Sequence, residues 1–514
     1  MAKIGEIMQK FIMSNPKRAI WFMTTMPASF WEKQSQKMAL QTFHEAAKKV
    51  PAYQDFLKKH NVNPDEIKTL KDFQEKVPIT SKKNFLHQYP LIDLTDKEFR
   101  EIFGLCYSSG STGMPTPFFY RRKIFFAIFQ GWLSWLNYIW DICSFSNNTL
   151  FINAAPLGVW AWGYNTHLLM GYILKKYNIT YTTPGCDPQM VLKILKEIGE
   201  NYSQVIISTI PSLIKQVLDE GDKQNLKWEK FNLKIQLAGE YLSKDFQDYI
   251  ISKIDPKNKI TTRIFNIYAA GDAGVLGITL PLSLLIQKLV EKDENLKSSL
   301  LTDPSLSLFQ YNPLSVFLEE KEGDLLITTT TSSIPIIRYK LGDSVKIISF
   351  QEMENKLKEC GYTIPDLLKK AGWQKGYFKW PFLILQGRSD DMLTIFSGAK
   401  ISPQNLFPLL DMPEAKEINS FKLTTETEKD FNNRLVVYLE LKDNLKPSTQ
   451  DVINLEKKYQ KLVHQCLSKT NIDYQDAYRL NPEMVLPKIK IFPAKQGPFE
   501  GDDKRPKKRF VIKQ

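Results

Sequence analysis

Short apolar runs alternate with amphipathic stretches between residues 149 and 268, and this alternation is the clearest pattern in the chain. Apolar runs of four to eight residues predict buried strands, and apolar positions that recur every three or four residues predict helices. The predicted elements are strand 149–155, strand 179–183, helix 189–199, strand 205–208, helix 211–220, strand 234–238 and strand 265–268. Such alternation indicates an α/β domain with a largely parallel sheet.

The two ends of the chain show other patterns. Residues 1–104 are predicted to be helices joined by short turns, among them 39–49, 53–59 and 70–76, with Ser81 as the N-cap of a further helix. A polar, helix-rich insert is predicted over 344–386. After it, strands near 434–441 and 488–492 and a helix over 449–468 predict a small α+β domain. The predicted organisation is therefore a helical region at 1–104, a core at 105–388 and a small domain at 389–514.

The stretch 124–143 (IFFAIFQGWLSWLNYIWDIC) is long enough to span a membrane and follows three basic residues. Four polar residues, at steps of four, three and four, nevertheless fall on one stripe of a helix: Gln130, Ser134, Asn137 and Asp141. We therefore predict a buried helix of a folded domain and no membrane span.

Composition narrows the function classes. Of the 514 residues, 43% are hydrophobic and 24% charged, as in ordinary globular proteins. The five cysteines are far apart and form no CxxC pair, which argues against zinc sites and disulfides and favours the cytoplasm. The net charge of +13 is spread among 56 acidic residues, so no nucleic-acid partner is predicted. The HExxH and GxSxG motifs of hydrolases are missing from the sequence.

Residues 107–116 (YSSGSTGMPT) concentrate small hydroxyl side chains and glycines in one loop. Glycines let backbone N–H groups turn toward one point, and hydroxyls add short donors, so such a loop can hold a phosphate group. The six residues concerned are Ser108, Ser109, Gly110, Ser111, Thr112 and Gly113. The loop is not a Walker motif, and a Ser/Gly-rich surface turn remains the alternative.

Polar residues also follow the predicted strands, at the end of a parallel sheet where ligands bind. These residues are Gly239 and Glu240, then Asp272 after the strand that contains Tyr268, and Asp343 in a Gly-Asp pair. An acid there can hold a metal ion or accept ribose hydroxyls, although acids after strands are also common in turns. Trp160 and Trp162 would line an apolar pocket or belong to the core.

Taken together, these motifs resemble the adenylate-forming superfamily of acyl- and aryl-CoA synthetases, nearest to the phenylacetate–CoA ligase branch. The resemblance runs from about residue 39 to the C-terminus and rests on five motifs in the family's order. They are YSSGSTGMPT (107–116), LAGEYLS (237–243), IYAAGD (267–272), IPIIRYKLGD (334–343) and LQGRSDDMLTIFSGAKISPQNL (385–406). The resemblance implies a large N-terminal adenylate-forming domain with parallel-rich sheets and a small mobile α+β C-terminal domain.

The resemblance also implies a reaction and a set of sites. ATP and Mg²⁺ would activate a carboxylic acid, aromatic or otherwise apolar, as an acyl-adenylate, and CoA would then displace AMP. The loop residues 108–113 would hold phosphates, Gly239, Glu240 and Tyr268 would frame the adenine, Asp343 would bind ribose and Arg388 would contact the nucleotide. Asp272 would bind the metal, Asp390 would be the hinge, and Lys507 is preferred over Lys504 and Lys508 as the catalytic cation of the tail. A homodimer is compatible with this reading.

Two departures from the family pattern leave alternatives open. Met114 stands where the phosphate loop usually has a lysine, and Gly271 lacks the hydroxyl that usually precedes the metal-binding acid. Adenylation with another acceptor, either a carrier protein or a nucleotidylated small molecule, is one alternative. A non-catalytic nucleotide-binding homologue is the other.

Overall fold

The structure, a computed structural model, describes residues 14–107, 117–155, 157, 161–239, 242, 244–255, 262–300, 307–330, 334–388, 393–395, 400–427, 433–443, 445, 447–502 and 510–512. Its helices are α1 (Pro16–Thr25), α2 (Ala28–Lys49), α3 (Pro51–Lys59), α4 (Leu70–Lys76), α5 (Arg122–Trp140), α6 (Ala161–Ile173), α7 (Pro188–Ile198), α8 (Pro211–Lys223), α9 (Lys244–Ile254), α10 (Pro281–Val290), α11 (Glu294–Leu300), α12 (Phe350–Glu359), α13 (Ile364–Lys370), α14 (Phe407–Asp411), α15 (Thr449–Thr470), α16 (Ile472–Leu480) and α17 (Pro482–Val485). Its strands are β1 (Ile102–Tyr107), β2 (Pro117–Arg121), β3 (Thr149–Asn153), β4 (Ile179–Thr182), β5 (Gln204–Thr209), β6 (Leu233–Ala238), β7 (Ile264–Ala270), β8 (Gly274–Ile278), β9 (Ser307–Gln310), β10 (Val316–Lys321), β11 (Asp324–Thr329), β12 (Ile336–Ile348), β13 (Phe382–Arg388), β14 (Leu393–Thr394), β15 (Lys400–Ile401), β16 (Ile418–Thr427), β17 (Asn433–Leu441) and β18 (Lys488–Phe492).

Within these residues, eleven strands form one sheet in the order β10-β11-β12-β13-β9-β8-β7-β6-β5-β3-β4. From β7 to β4 the neighbours pair in parallel, and from β7 to β10 they pair antiparallel. The predicted α/β class with parallel strands is confirmed, and the parallel half is built from the alternating segment 149–268. The antiparallel half comes from residues 274–388, so the sheet as a whole is about half parallel.

The two halves of the sheet meet at a narrow junction. Strands β8 and β9 are joined by one residue pair, Ile278 with Gln310. Three strands separate β7 from β12 in the sheet order, yet Tyr268 on β7 donates a hydrogen bond to Asp343 on β12. The sheet must therefore bend back at the junction, which brings the ends of β7 and β12 together.

Helices cover both faces of the parallel half, so its strands are apolar on both sides. On β5, Val205 and Ile207 pack with helices α7, α8 and α9, whereas Ile206 packs with α1, α5 and α6. Helices α2, α3 and α4 pack on the antiparallel half. The two helices of the predicted insert, α12 and α13, pack with α10 and α11 against β9 and β13.

Helix α5 contains most of the apolar stretch 124–143, and the middle of its polar stripe, Ser134 and Asn137, is buried, as expected for a helix inside a folded domain. Ser134 donates its hydroxyl to the carbonyl of Gln130 at 2.6 Å, and Asn137 Oδ1 accepts the backbone N–H of Cys143 at 3.0 Å. Asp141 ends the helix and pairs with Lys375 at 2.6 Å. Among the described residues, no helix combines the length and apolar character needed to cross a membrane.

The C-terminal part has a separate buried core, formed around strands β16, β17 and β18 and helices α15 and α16. The end of the chain returns to this sheet. Leu423 on β16 donates its N–H to the carbonyl of Phe510 at 2.7 Å and accepts the N–H of Ile512 at 2.8 Å. The end of the chain thus pairs with a strand of this sheet, while the domain boundaries at 104 and 388 stay predictions.

At the amino ends of β3, β5 and β6, three polar side chains beneath α5 satisfy one another, and we call them the amino-end row: Thr149, Gln204 and Lys234. Gln204 Nε2 donates to Thr149 Oγ1 at 2.7 Å, and Lys234 Nζ donates to Gln204 Oε1 and to the carbonyl of Trp140. Burial, with a smaller effect of the nearby Arg263 charge, lowers the pKa of Lys234 to about 8.

This lowered pKa predicts a pH-dependent stability. Below about pH 8, both the folded and the unfolded protein carry a charged Lys234, and the folded state bears the full cost of burying it. Between pH 8 and the unfolded value near 10.5, the folded protein loses this proton first, so its stability rises. We expect the free energy of unfolding, measured relative to a Lys234→Met variant, to increase from pH 7.5 to pH 9.5. If the difference in free energy of unfolding between the parent and Lys234→Met stayed constant with pH, burial would not be lowering the pKa of Lys234.

Candidate active site

Asp272 lies in the turn between β7 and β8, at the edge of the sheet where the parallel strands end. Its side chain is only 3% exposed, and Tyr339 Oη donates a hydrogen bond to its Oδ2 at 2.7 Å. Lys82 Nζ lies 3.6 Å from the same oxygen. A buried carboxylate is stabilised by a counter-charge or by hydrogen-bond donors. Here Lys82 supplies the counter-charge and the Tyr339 hydroxyl is the donor.

Lys82 reaches this acid because the segment before it docks on β12. Thr80 pairs with Tyr339, donates its N–H to the carbonyl of Arg338 at 3.2 Å and accepts the N–H of Lys340 at 2.8 Å. Ser81 then caps the short helix Lys82–Leu86, confirming the predicted N-cap. The pairing of Thr80 with β12 and the cap at Ser81 therefore fix the backbone just before Lys82. This places the Lys82 ammonium group beside Asp272.

Arg338 supports this docking from inside the protein. It adopts φ +44°, a backbone conformation that is strained for a residue with a side chain, and it is 3% exposed. Its guanidinium pairs with Glu319 at 3.2 Å and donates to the carbonyl of Val77 at 2.6 Å. Burial raises the pKa of Glu319, although the Arg338 charge acts against this rise. This buried pair ties residue 77, just before the Lys82 segment, to β12.

Asp343 and Tyr268, assigned to ribose and adenine from the sequence, lie in contact. Tyr268 Oη donates to Asp343 Oδ2, and the Tyr268 ring packs at 5.8 Å from that of Phe309. The sequence reading of Asp343 as a strand end is wrong, because β12 continues through it to Ile348 with an irregular register after Ser344. The bend of the sheet, not the end of β12, brings Asp343 to the site.

The other predicted residues fall into two groups. Gly239 follows β6 with φ +88°, a conformation that favours glycine, so the turn after this strand requires it. The backbone of Arg388 pairs with Asp343 between β13 and β12, which places its α-carbon beside the ribose candidate. Outside the described residues lie Ser108, Ser109, Gly110, Ser111, Thr112, Gly113, Glu240, Asp390 and Lys507.

The surroundings of Asp272 suit a metal ion that takes one ligand from the protein and most of its other ligands from a substrate. In the described part of the chain, no cluster of three or more His, Cys, Asp or Glu side chains is arranged to hold a metal. The contacts of Tyr339 and Lys82 both fall on Oδ2, which leaves Oδ1 of Asp272 as a ligand atom. Mg²⁺ is commonly bound by one or two carboxylates together with phosphate oxygens, so a single carboxylate fits that role.

A cysteine nucleophile does not fit this site. Cys106 is the second-last residue of β1, close to the Ser/Gly-rich loop, and is fully buried. Burial raises the pKa of its thiol to about 12, so the reactive thiolate is scarce near neutral pH.

Sequence reasoning missed Lys82 and Tyr339. Lys82 is one of two adjacent lysines after a capping serine, and no local pattern separates it from Lys83. Tyr339 lies within the motif 334–343, but its contact with Asp272 joins residues 67 positions apart. One signal for Lys82 was available: the family that the sequence resembles usually has a lysine where this chain has Met114, so a cation from another segment was to be sought.

No family model and no curated protein matches the chain. Among solved structures, it is similar to a 2-hydroxyisobutyryl-CoA ligase in the postadenylation state with R3-HIB-AMP, at 15% identity and TM-score 0.64, covering 96% of this chain and 91% of that one. The same ligase with 2-HIB-AMP and CoA in the thioesterification state gives 16% identity and TM-score 0.54, covering 95% and 91%. An acyl acid amido synthetase in complex with 2,4-DB gives 13% identity and TM-score 0.54, covering 94% and 90%. The chain therefore has the fold of these adenylate-forming enzymes.

Proposed function

We propose that this chain is an AMP-forming ligase that activates a carboxylic acid with ATP and transfers the acyl group to CoA. The observation that carries the proposal is a set of contacts between β12 and the end of β7: Tyr268 donates a hydrogen bond to Asp343, and Asp272 accepts one from Tyr339 and lies beside Lys82. Both carboxylates, Asp272 and Asp343, belong to motifs that resemble the nucleotide-binding motifs of the family. The fold shared with adenylate-forming enzymes supports the same reading.

In the first half-reaction, a carboxylate oxygen of the acid attacks the α-phosphorus of ATP, and the bond to pyrophosphate breaks. Asp343 would accept the ribose hydroxyls, and the Tyr268 hydroxyl keeps that carboxylate oriented. Lys82 would offset the negative charge that develops on the phosphates. Such electrostatic stabilisation of the transition state supplies most of the rate enhancement in phosphoryl and nucleotidyl transfer. Asp272 would hold Mg²⁺, which supplies further positive charge to the phosphates when bound.

In the second half-reaction, the thiol sulfur of CoA bonds to the acyl carbon, and AMP leaves with the former carboxylate oxygen. In our proposal the loop 108–113 holds phosphates in the first step, and Gly239, Glu240 and Arg388 contact the nucleotide. The segment 389–514 would rotate about Asp390 between the steps, as small domains do when one site must serve two reactions. The phenylacetate–CoA ligase-like branch, the cytoplasmic location and the homodimer also stay predictions from the sequence.

A second candidate function keeps adenylation and changes the acceptor. One structural neighbour is an acyl acid amido synthetase, so the fold serves acceptors other than CoA. Met114, in place of the usual lysine, is a departure that either function must accommodate.

The deciding experiment measures pyrophosphate release from ATP and Mg²⁺ across a panel of aromatic and aliphatic acids, with and without CoA. We expect acid-dependent release and a CoA thioester. Release without a thioester would favour another acceptor, to be sought among amines and carrier proteins. If no acid in the panel led to pyrophosphate release although ATP still bound, the non-catalytic homologue would be favoured.

The tail gives a prediction that separates the two half-reactions. Residues 510–512 pair with β16, which anchors the chain three residues after Lys507. We expect Lys507→Ala to slow adenylation by about 10²–10³ and to leave thioester formation from a preformed adenylate nearly unchanged. Lys504→Ala and Lys508→Ala are matched controls on the same tail. Parent rates in all three variants would refute a catalytic tail.

A further inference from the structure

Three neutral polar side chains lie in a row at the carboxyl ends of adjacent parallel strands. Asn153 on β3 is in register with Ser208 on β5, and Ser208 is in register with Gln236 on β6. Residues paired in register project from the same face of a sheet, here the face covered by α5 and α6. All three are fully buried. We call them the carboxyl-end row.

Four polar atoms of this row have no hydrogen-bond partner among the described residues: Asn153 Oδ1, Ser208 Oγ, Gln236 Oε1 and Gln236 Nε2. Asn153 is held in place by its other amide atom, since Nδ2 donates to Tyr181 Oη at 3.0 Å and to the carbonyl of Gly163 at 3.3 Å. Buried polar groups are almost always satisfied in native proteins, so several orphaned atoms in one row require an explanation.

The opposite ends of the same strands show that the fold can satisfy such a row. In the amino-end row, Gln204 bonds to both Thr149 and Lys234. The carboxyl-end row has no cation like Lys234, and four of its polar atoms lack partners among the described residues.

The helix that covers the row adds two further orphaned atoms. Trp162 Nε1 and Asn165 Oδ1 are buried on α6 without partners in the described structure, although Asn165 Nδ2 donates to Tyr120 Oη at 3.0 Å. The contact between Asn153 and Gly163 puts the first turn of α6 directly against the row. Unpartnered donors and acceptors are thus found both on the sheet and on the helix that covers it, so a ligand group would reach the row only if the first turn of α6 moved aside.

The row also lies close to the nucleotide candidates. Gln236 precedes Gly239 by three residues on the same strand end, and ligands of open α/β sheets bind beyond the carboxyl ends of the strands. Because the row is uncharged, a charged group buried there would lack a counter-charge, whereas a hydroxyl or amide would find both donors and acceptors.

We propose that the carboxyl-end row binds the far end of the carboxylic acid, and that this acid carries a neutral hydrogen-bonding group such as a hydroxyl or an amide. The inference rests on the proposed adenylation and narrows the sequence expectation of an aromatic or otherwise apolar acid. Gln236 is the specificity-determining residue, since both of its amide atoms lack partners. Sites that hydrogen-bond a substrate group reject the analogue that lacks it far more strongly than apolar pockets discriminate by size.

The test compares acids that differ only in a hydroxyl, namely 4-hydroxyphenylacetate with phenylacetate and 6-hydroxyhexanoate with hexanoate. We expect kcat/KM for pyrophosphate release to favour the hydroxylated member of at least one pair by about tenfold or more. Gln236→Met should bring that ratio to near one, while its melting temperature without substrate stays level or rises, because two orphaned atoms are removed. Gln204→Met, on β5 at the satisfied end, is the matched control and should keep the parent ratio.

Two outcomes would overturn the proposal: a parent enzyme that favours neither hydroxylated acid, or a Gln236→Met variant with an unchanged ratio. If no acid gives pyrophosphate release, the proposed function fails. The row is then tested by the change in melting temperature when an acid is added. A hydroxylated acid should raise the melting temperature of the parent more than that of Gln236→Met. Equal shifts in the two proteins would overturn the row as a binding site.

Discussion

Replacing Lys82 by alanine is expected to slow formation of the acyl-adenylate by about 10²–10³, because it removes a preorganised cation from the phosphate site. Lys82 is held 3.6 Å from Asp272 by a segment that is hydrogen-bonded to β12, so its ammonium group is placed before ATP arrives. The family that the sequence resembles usually has a lysine where this chain has Met114, and we propose Lys82 as the compensating cation. ATP–pyrophosphate exchange at saturating ATP measures the step directly.

The matched control is Lys83→Ala, since the next residue has the same charge but faces solvent. It should exchange at the parent rate. An Asp272→Asn variant tests whether the two groups act together. The double variant, with Lys82→Ala, should lose less exchange rate than the product of the two single losses, because in our proposal both residues act on one phosphate site. Parent-like exchange in Lys82→Ala would show that the ion pair with Asp272 is structural.

The second large effect is on stability. Arg338→Met is expected to destabilise the protein by about 3–5 kcal/mol, because it leaves the Glu319 carboxylate buried without its cation. The pKa of Glu319 is already raised by burial and would rise further. A folded-state pKa above the unfolded value means that the folded protein binds more protons, so the stability of the variant should fall as pH rises above about 4.3. Denaturant unfolding at pH 5 and pH 7.5 should show the larger deficit at pH 7.5.

The compensating variant is Arg338→Met combined with Glu319→Gln, which removes the buried charge and should recover a substantial part of the loss. Adenylation should remain impaired in this double variant, because the bond from Arg338 to the Val77 carbonyl is still missing and the Lys82 segment is less firmly docked. A single variant as stable as the parent would contradict the buried pair as a main support of this region.

Sequence patterns located the elements of this fold where local forces decide them. Helix α4 matches its predicted bounds because a Thr69–Asp72 capping box fixes its start, and β18 matches because its apolar alternation is bounded by prolines. The antiparallel half was harder where paired strands are far apart in the chain: residues 279–306 separate β8 from β9, and residues 349–381 separate β12 from β13.

Contacts in the site were beyond local patterns for the same reason. Motif resemblance named Tyr268, Asp272 and Asp343 individually, but their grouping depends on a bend where one residue pair joins two half-sheets. The docking of Thr80 on β12 joins positions 257 residues apart through a side-chain bond to Ile337. Neither contact follows from periodicity, capping or turn chemistry, which act within a few residues.

The narrow junction between β8 and β9 also bears on how the protein is made. Strands β3 to β7 are contiguous in sequence, so the parallel half can assemble on the ribosome before residues 307–388 have been synthesised. Its growing edge, β7, would expose unpaired backbone groups that favour aggregation. Strand β8 follows after three residues and pairs with β7 as a hairpin, which shields that edge at once. The turn of this hairpin contains Asp272, so the residue proposed to bind the metal also belongs to the segment that would protect the nascent sheet.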